Sequence, residues 1–184
     1  MGNCINKIDK MESEKSSINL ASATYDVPEY SLANICHEGK VVYVYDCDTV
    51  HIVFVINGQF VKYNCRLLGI DSPEICPKNV KDLTKREQEI ACAIKSRNWL
   101  ITQVTGLVPS DKITKKEIKE LCGKSRQLVW VKCHDFDKYG RLLVELFANK
   151  SDTVSLNKLM VEKHLAVEYD GGTKKEFNVP ITEN

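Results

Sequence analysis

The sequence predicts an α+β, mainly β domain, in which a five-stranded barrel has helices inserted after strand 3 and after strand 5. Three observations support this prediction. Residues 40–68 are dense in Val, Ile, Tyr and Phe, two helix-start motifs follow in the middle of the chain, and two more β-rich stretches precede a last helix. This order of elements is that of the OB fold, a partly open Greek-key barrel.

The first three strands form a predicted meander. Asn57-Gly58 supplies the positive φ angles of a type I′ turn, so strands near 50–56 and 59–68 should pair antiparallel. A strand near 40–46 precedes them. The pattern therefore predicts three consecutive strands that form a meander.

Two Thr-x-x-Glu motifs, at 84–87 and 114–117, are typical of capping boxes at helix starts. The first predicts a long helix over 84–104. The second predicts a short helix that ends before Gly123, a residue suited to a left-handed cap.

The remaining β-rich stretches, 127–135 and 141–147, flank a turn over 137–140. A helical pattern near 155–165 follows them. These stretches supply strands 4 and 5 and the final helix of the predicted barrel.

The charge distribution divides the chain. Residues 1–38 are polar without a period of two or 3.6, which predicts a flexible tail, and their three Lys and six acidic residues give a net charge of −3. The rest carries +4 of the total of +1, a modest excess compatible with a phosphate-bearing partner. We expect a folded domain over 39–175 and a C-terminal tail over 176–184.

The composition indicates an intracellular, cytoplasmic protein. The sequence has no apolar run of about 20 residues and no secretory signal at its start. Its eight cysteines are scattered without a CxxC pair, which favours reduced thiols over disulfides or structural zinc. Any metal should be a hard cation bound by oxygen.

The first residues, MGNC, allow a second interpretation. Gly2 and Cys4 are placed for N-myristoylation and palmitoylation, which would anchor the protein to a membrane, although Asn6 replaces the usual Ser or Thr. The alternative is an ordinary disordered start in which Gly2 has no role.

Acidic residues cluster in two places. Asp46 and Asp48 are two residues apart, while Pro73 restricts the backbone of the turn that presents Asp71 and Glu74. Converging carboxylates favour a hard cation such as Ca²⁺. The alternative is that strand ends are polar in any case.

Arg66 precedes Asp71 by five residues, so the two lie on opposite faces of a flat strand. They converge only if the chain bends, and Gly69 is where a bend could occur. A guanidinium beside an acidic turn can clamp a phosphate that the cation also touches.

Three blocks, 45–49 (YDCDT), 66–74 (RLLGIDSPE) and 137–141 (DKYGR), occur in this order and together resemble the staphylococcal nuclease (thermonuclease) family. The resemblance extends from about Gly39 to Tyr169. The segment 164–174 is similar to versions from large DNA viruses.

The resemblance implies a calcium-dependent nuclease acting on DNA and/or RNA. Asp48 and Asp71 would be carboxylate ligands of Ca²⁺, with the carbonyl of Thr49 as a further ligand. Glu74 would be the base or orient the attacking water. Cys47 replaces the family's usual Gly, so it either takes an ordinary backbone angle or shifts the loop.

The resemblance also assigns the groups around the phosphate. Arg66 and Arg141 would stabilise the phosphoryl transition state, and Tyr169 and Tyr139 would bind substrate. The alternative function is a non-catalytic module of the same fold that binds nucleic acid or protein, either free or membrane-tethered. No obligate protein partner is indicated. Four basic residues could contact a nucleic-acid backbone, but a solvated helix face is the favoured interpretation: Lys115, Lys116, Lys119 and Arg126.

Overall fold

The computed structural model describes residues 19–78 and 80–172, and the chain divides into two compact units, 1–31 and 32–184. In the first unit, the described residues 19–31 are all exposed. They contain a 3₁₀ turn, Leu20–Ser22, which the Asn19 side chain caps. Gly2 and Cys4 lie outside the described residues.

The second unit contains the strands and α-helices of the described chain. The strands are β1 (Cys36–Asp46), β2 (Thr49–Ile56), β3 (Gln59–Leu67), β4 (Ile70–Asp71), β5 (Val129–Phe136), β6 (Leu142–Phe147) and β7 (Val167–Glu168). The helices are α1 (Leu83–Thr105), α2 (Lys115–Lys124) and α3 (Leu156–Glu162). None of these helices is long and apolar enough to cross a membrane.

Five strands close into a barrel in the order β1-β2-β3-β6-β5. The β3–β6 pair is parallel and the other pairs are antiparallel. This confirms the predicted OB-type barrel, with helices after its third and fifth strands. The predicted hairpin turn is also confirmed, because Asn57 and Gly58 have φ angles of 50° and 76° and lie between the paired Ile56 and Gln59.

The barrel interior is apolar because alternate residues of each strand point inward. On β2, Val50, Ile52 and Phe54 are buried, while Val53 and Val55 are not. One face of α1 covers the barrel with residues at helical spacing: Ala93, Leu100, Ile101 and Val104.

Several element boundaries differ from the sequence prediction, for example the end of α3, which is Glu162 and not a residue near 165. Strand β1 begins at Cys36, earlier than residue 40, because it pairs with β5 from Cys36 onward. Helix α1 is capped by Asp82, whose carboxylate accepts from the Lys85 amide at 3.1 Å, so the predicted start at Thr84 is wrong. Asp is an effective N-cap and adds a residue to the helix start.

The predicted end of α2 before Gly123 is also wrong. Gly123 remains helical, and α2 ends at Lys124. The next residue, Ser125, has an extended backbone. The Ser125 hydroxyl donates to the Thr105 carbonyl at 2.8 Å and accepts from the Gln127 amide at 3.1 Å. The bond to Thr105 ties the helix end to α1, so a left-handed glycine cap is not required.

A two-stranded sheet formed by β4 and β7 was not predicted. Ile70 pairs with Glu168 and Asp71 with Val167. The Tyr169 amide also donates to the Gly69 carbonyl at 3.0 Å. The segment after α3 is thereby fixed to the chain that follows β3.

Substitution of two glycines by alanine tests the packing of the barrel interior. A Cβ on Gly39 would lie 2.7 Å from Ile52 Cγ2 inside the barrel, whereas a Cβ on Gly123 would meet no atom within 4 Å. We expect Gly39→Ala to lower the free energy of unfolding by about 1–3 kcal/mol through overpacking. Gly123→Ala should raise it by about 0.5–1 kcal/mol, since alanine is the better helix former.

Urea unfolding followed by circular dichroism measures both changes. Gly123→Ala serves as the matched control, because it adds the same methyl group in open space. Equal stabilities for the two variants would contradict the packing assigned to Gly39.

Candidate active site

The site starts at the tight connection between β1 and β2. Asp46 pairs with Thr49 across this connection, and Thr49 pairs in turn with Arg66 on β3. The Asp48 carbonyl accepts from the Leu67 amide at 2.8 Å, so the connection is fixed to β3. The strand register therefore places Asp48 beside Arg66.

Arg66 joins the two aspartates predicted to hold a metal. Its Nη1 lies 2.7 Å from Asp48 Oδ2, and its Nη2 lies 3.3 Å from Asp71 Oδ1. The same Nη2 donates to the Ile70 carbonyl at 3.2 Å. Both aspartates are buried. The predicted bend at Gly69 is confirmed by its φ of 80°, which turns Asp71 back toward the arginine.

Thr49 is buried next to these carboxylates. Its hydroxyl donates to Asp48 Oδ1 at 2.9 Å, which fixes the side of the carboxylate that faces away from Arg66. The structure thus brings together Asp48, Thr49, Arg66 and Asp71, as the sequence predicts.

Cys47 adopts no positive φ, so of the two alternatives an ordinary backbone angle holds. Its side chain is fully buried, and the thiol donates to the Ala93 carbonyl of α1 at 3.1 Å and lies 3.5 Å from the Pro73 carbonyl. Burial, and then the charges of Asp46 and Asp48, raise the pKa of Cys47 well above its usual value. The residue therefore remains a neutral thiol that packs the loop against α1.

Glu74 is placed by the segment that Pro73 restricts. Its amide donates to Glu89 Oε1 at 3.1 Å, and Glu89 is a buried residue on α1. Because a buried carboxylate on α1 accepts from the Glu74 amide, the loop that carries Glu74 is held at a fixed distance from α1. The Glu74 side chain lines the same cleft as Arg66.

Arg141 follows a tight turn that Asp137 organises. Asp137 Oδ1 accepts from the Tyr139 and Arg141 amides at 2.8 and 2.9 Å. Its Oδ2 lies 2.7 Å from both Nε and Nη2 of Arg141, so one carboxylate oxygen contacts two nitrogens of the guanidinium. The turn therefore fixes the direction of the arginine before any substrate is present.

These residues surround an open cleft of about 630 Å³. Besides Asp48, Thr49, Arg66, Glu74 and Arg141, its walls include Tyr43, Tyr45, Asp46, His51, Asn64, Ser72, Lys115 and Lys119. Burial raises the pKa of Asp46 despite a hydrogen bond from the Cys47 amide, and the charges of Asp48 and Glu74 raise it further. The carboxylates of Asp46, Asp48 and Glu74 therefore lie close enough to interact electrostatically.

A sequence profile of the staphylococcal nuclease homologue family matches residues 64–179, which is more than half of the chain. The chain belongs to the staphylococcal nuclease homologue family. The match includes Arg66, Asp71, Glu74 and Arg141, whereas Asp48 precedes it. No curated protein matches the chain.

The oxygen donors of this family member suit a hard cation in part. Asp48 and Asp71 are buried carboxylates held close to one guanidinium, and Thr49 adds a hydroxyl and a carbonyl oxygen. In the described part of the chain, however, no group of three or more His, Cys, Asp or Glu side chains is arranged to hold a metal ion. Backbone oxygens and water would have to complete the six to eight ligands of Ca²⁺.

The two predicted tyrosines lie beside the arginines. The Arg66 Cζ is 5.8 Å from the Tyr169 ring centroid, and the Arg141 Cζ is 5.6 Å from that of Tyr139. Tyr169 also donates its hydroxyl to the Gly172 carbonyl at 2.7 Å. Neither tyrosine belongs to the described residues that line the cleft.

Lys115 and Lys119 are exposed, in agreement with the favoured prediction of a solvated helix face, and they also line the cleft. Their spacing of four residues places them on one face of α2. That spacing was the available signal, but the sequence does not show which surface this face meets.

The Asp137 pair predicts a dependence of stability on pH. Burial acts to raise the pKa of Asp137, but hydrogen bonds from the Arg141 amide and side chain and from the Tyr139 amide outweigh it and lower the pKa. A pKa depressed by folding stabilises the protein above the unfolded-state pKa, and this contribution is lost as the pH falls through the folded-state pKa.

We therefore expect Asp137→Asn to lower the free energy of unfolding by about 1–3 kcal/mol at pH 7. The difference from wild type should shrink as the pH falls below about 4. Urea titrations across this range test it, with Asp135→Asn, at an exposed position on β5, as the control. A difference that stays constant down to low pH would contradict the assignment.

Proposed function

We propose that this protein is a calcium-dependent nuclease that hydrolyses phosphodiester bonds of DNA or RNA. The observation that carries the proposal is one cleft lined by Asp48, Arg66, Glu74 and Arg141, in which Arg66 also pairs with the buried Asp71. Membership of the staphylococcal nuclease homologue family supports a nucleic-acid substrate. The fold alone would not, since barrels of this type have many functions.

Asp48, Asp71 and the carbonyl of Thr49 are the groups that would hold Ca²⁺. When bound, the ion would polarise a water molecule and offset the negative charge of the phosphate. Two buried carboxylates and a backbone carbonyl are oxygen donors of the kind that a hard cation prefers, which favours Ca²⁺ at this place.

The two arginines would bind the phosphoryl oxygens. Three hydrogen bonds with described residues leave Arg66 two of its five N–H donors for a substrate. Arg141 is held by Asp137 and lines the same cleft as Arg66. Donors fixed before the reaction can stabilise charge that grows on the phosphate in the transition state.

Glu74 would accept a proton from the attacking water or orient it. Its carboxylate faces the cleft, and the Glu89 hydrogen bond to its amide holds its backbone. Glu89 would thus be a positioning residue. The proposed contacts are to phosphate and to the cation, and none of them distinguishes a 2′-hydroxyl. Both DNA and RNA therefore fit the proposal.

A non-catalytic binding module is the second candidate. It is favoured by the lack, among the described residues, of three carboxylate, thiol or imidazole side chains arranged around one point. Such a module would bind nucleic acid in the cleft without cleaving it. Cleavage assays with and without metal separate the two candidates.

We also propose that the protein acts in a reducing, intracellular compartment. Seven cysteines in the described residues are free thiols. Acylation at Gly2 and Cys4 stays a prediction from the sequence.

The metal requirement is the first test. We expect labelled single-stranded DNA and RNA to be cleaved with Ca²⁺, poorly with Mg²⁺, and not in chelator, since the smaller ion demands a rigid octahedral site. Activity should return when excess Ca²⁺ is added to the chelated protein. Full activity in chelator would exclude this metal site.

The second test assigns roles. Arg141→Lys keeps the charge but loses the planar fork, so we expect kcat to fall about 100-fold or more, which is roughly 3 kcal/mol of transition-state stabilisation. Glu74→Gln should lower kcat while Ca²⁺ still binds, as isothermal titration calorimetry would measure. Arg126→Lys, at an exposed position outside the cleft, is the matched control.

Arg66→Lys should also slow cleavage, but here stability must be measured in parallel. Arg66 is the partner of two buried carboxylates, so its replacement also destabilises the fold. If Arg141→Lys and Glu74→Gln are folded and cleave at the wild-type rate, the active site is misassigned. If wild type binds nucleic acid but does not cleave it with Ca²⁺, the binding module becomes the better candidate.

A further inference from the structure

Helix α2 packs on β1 and brings two lysines over two tyrosines at the wall of the cleft. Lys115 Nζ lies 5.4 Å from the ring centroid of Tyr45, and Lys119 Nζ lies 5.1 Å from that of Tyr43. The two tyrosines lie on the same side of β1, because their rings contact each other. We call these four residues the lysine–tyrosine shelf.

The two rings differ in exposure. Tyr43 is buried, with an exposure of 5%, while Tyr45 is 51% exposed. The rings meet edge to face with centroids 6.2 Å apart. Tyr45 therefore presents aromatic surface to solvent from a supported position.

The shelf lysines have no ion pair with any described residue, although Lys116 on the same helix lies 3.9 Å from Glu120. Over an aromatic ring, an ammonium group is attracted by the π electrons but keeps its charge available to an anion. His51 contacts Tyr43 edge to face, and burial, then Lys62 and Lys119, lower the pKa of His51. The positive charge of the shelf therefore comes from the lysines.

We propose that the shelf is a subsite for a single strand of nucleic acid, which it binds next to the phosphodiester held by Arg66 and Arg141. The proposal rests on the function proposed above and names its preferred substrate as single-stranded. Lys115 and Lys119 contact backbone phosphates, and Tyr45 stacks with an unpaired base.

The combination of charge and ring surface favours this occupant. Two cations four residues apart on a helix can follow a chain of phosphates, and an aromatic surface beside them suits a base of any sequence. In a duplex the faces of the bases are stacked on one another, so Tyr45 would have no base to contact. A duplex should therefore bind more weakly than a single strand.

The first experiment measures binding by the full chain without cleavage. Fluorescence anisotropy of a labelled oligothymidylate in chelator compares wild type with two double variants. Lys115→Gln/Lys119→Gln removes both shelf charges. Lys116→Gln/Lys124→Gln removes two charges from the same helix outside the cleft and is the matched control.

We expect the shelf variant to bind about tenfold more weakly or worse, because two phosphate contacts are lost. The slope of log affinity against log salt concentration should become shallower by about 1.4, since each phosphate contact on a single strand contributes about 0.7. The control should keep the wild-type slope. Equal slopes for the shelf variant and wild type would overturn the lysine contacts.

Tyr45→Leu tests the stacking contact, because leucine keeps apolar surface but has no ring. We expect a fall in single-strand affinity of about fivefold or more, with unchanged circular dichroism and an unchanged salt slope. Parallel titrations use single-stranded DNA, single-stranded RNA and duplex DNA. Duplex binding as tight as that of the single strands would overturn the preference for a single strand.

Cleavage by wild type with Ca²⁺ is measured separately, so the two proposals fail independently. If wild type binds with the lysine-dependent salt slope but cleaves no substrate, the shelf stands and the nuclease proposal fails. If wild type cleaves and the shelf variant binds as wild type does, the nuclease proposal stands and the shelf fails.

Discussion

One guanidinium between two buried carboxylates organises this part of the barrel. Asp48 comes from the β1–β2 connection and Asp71 from β4, and Arg66 forms an ion pair with each of these buried carboxylates. Uncompensated buried charge is costly, so the loop, the strand and the bend at Gly69 must settle around this arginine. The Asp137–Arg141 pair repeats the principle on a smaller scale, because a carboxylate there also fixes the direction of an arginine.

Local signals predicted most of the fold. The Asn57-Gly58 turn and the β-rich stretches gave the hairpin and the barrel order, because turn chemistry and alternation act within a few residues. The β4–β7 sheet escaped prediction, since two strands of two residues each carry no periodic pattern. The start of α1 was misplaced because Asp82 and Thr84 are both acceptable caps and the sequence alone does not select between them.

In the candidate site, too, some residues were predicted from local sequence, while the roles of others depend on long-range packing. Three sequence blocks predicted that Asp48, Arg66, Asp71, Glu74 and Arg141 belong together, and the structure brings them to one place. The roles of Cys47 and Glu89 depend on where α1 docks, which their own sequence neighbours do not specify. The shelf depends likewise on the path of residues 106–114, which decides whether one face of α2 meets solvent or β1.

The β4–β7 sheet also affects when the site can form during synthesis. Asp71 is fixed by Val167, a residue that leaves the ribosome long after the aspartate itself. A nascent chain that has completed its first hairpin therefore holds Arg66 and Asp48 but not the backbone that positions Asp71. The Asp48–Arg66–Asp71 cluster can therefore assemble only after nearly the whole barrel and its last helix have emerged. An incomplete translation product would lack this assembled cluster.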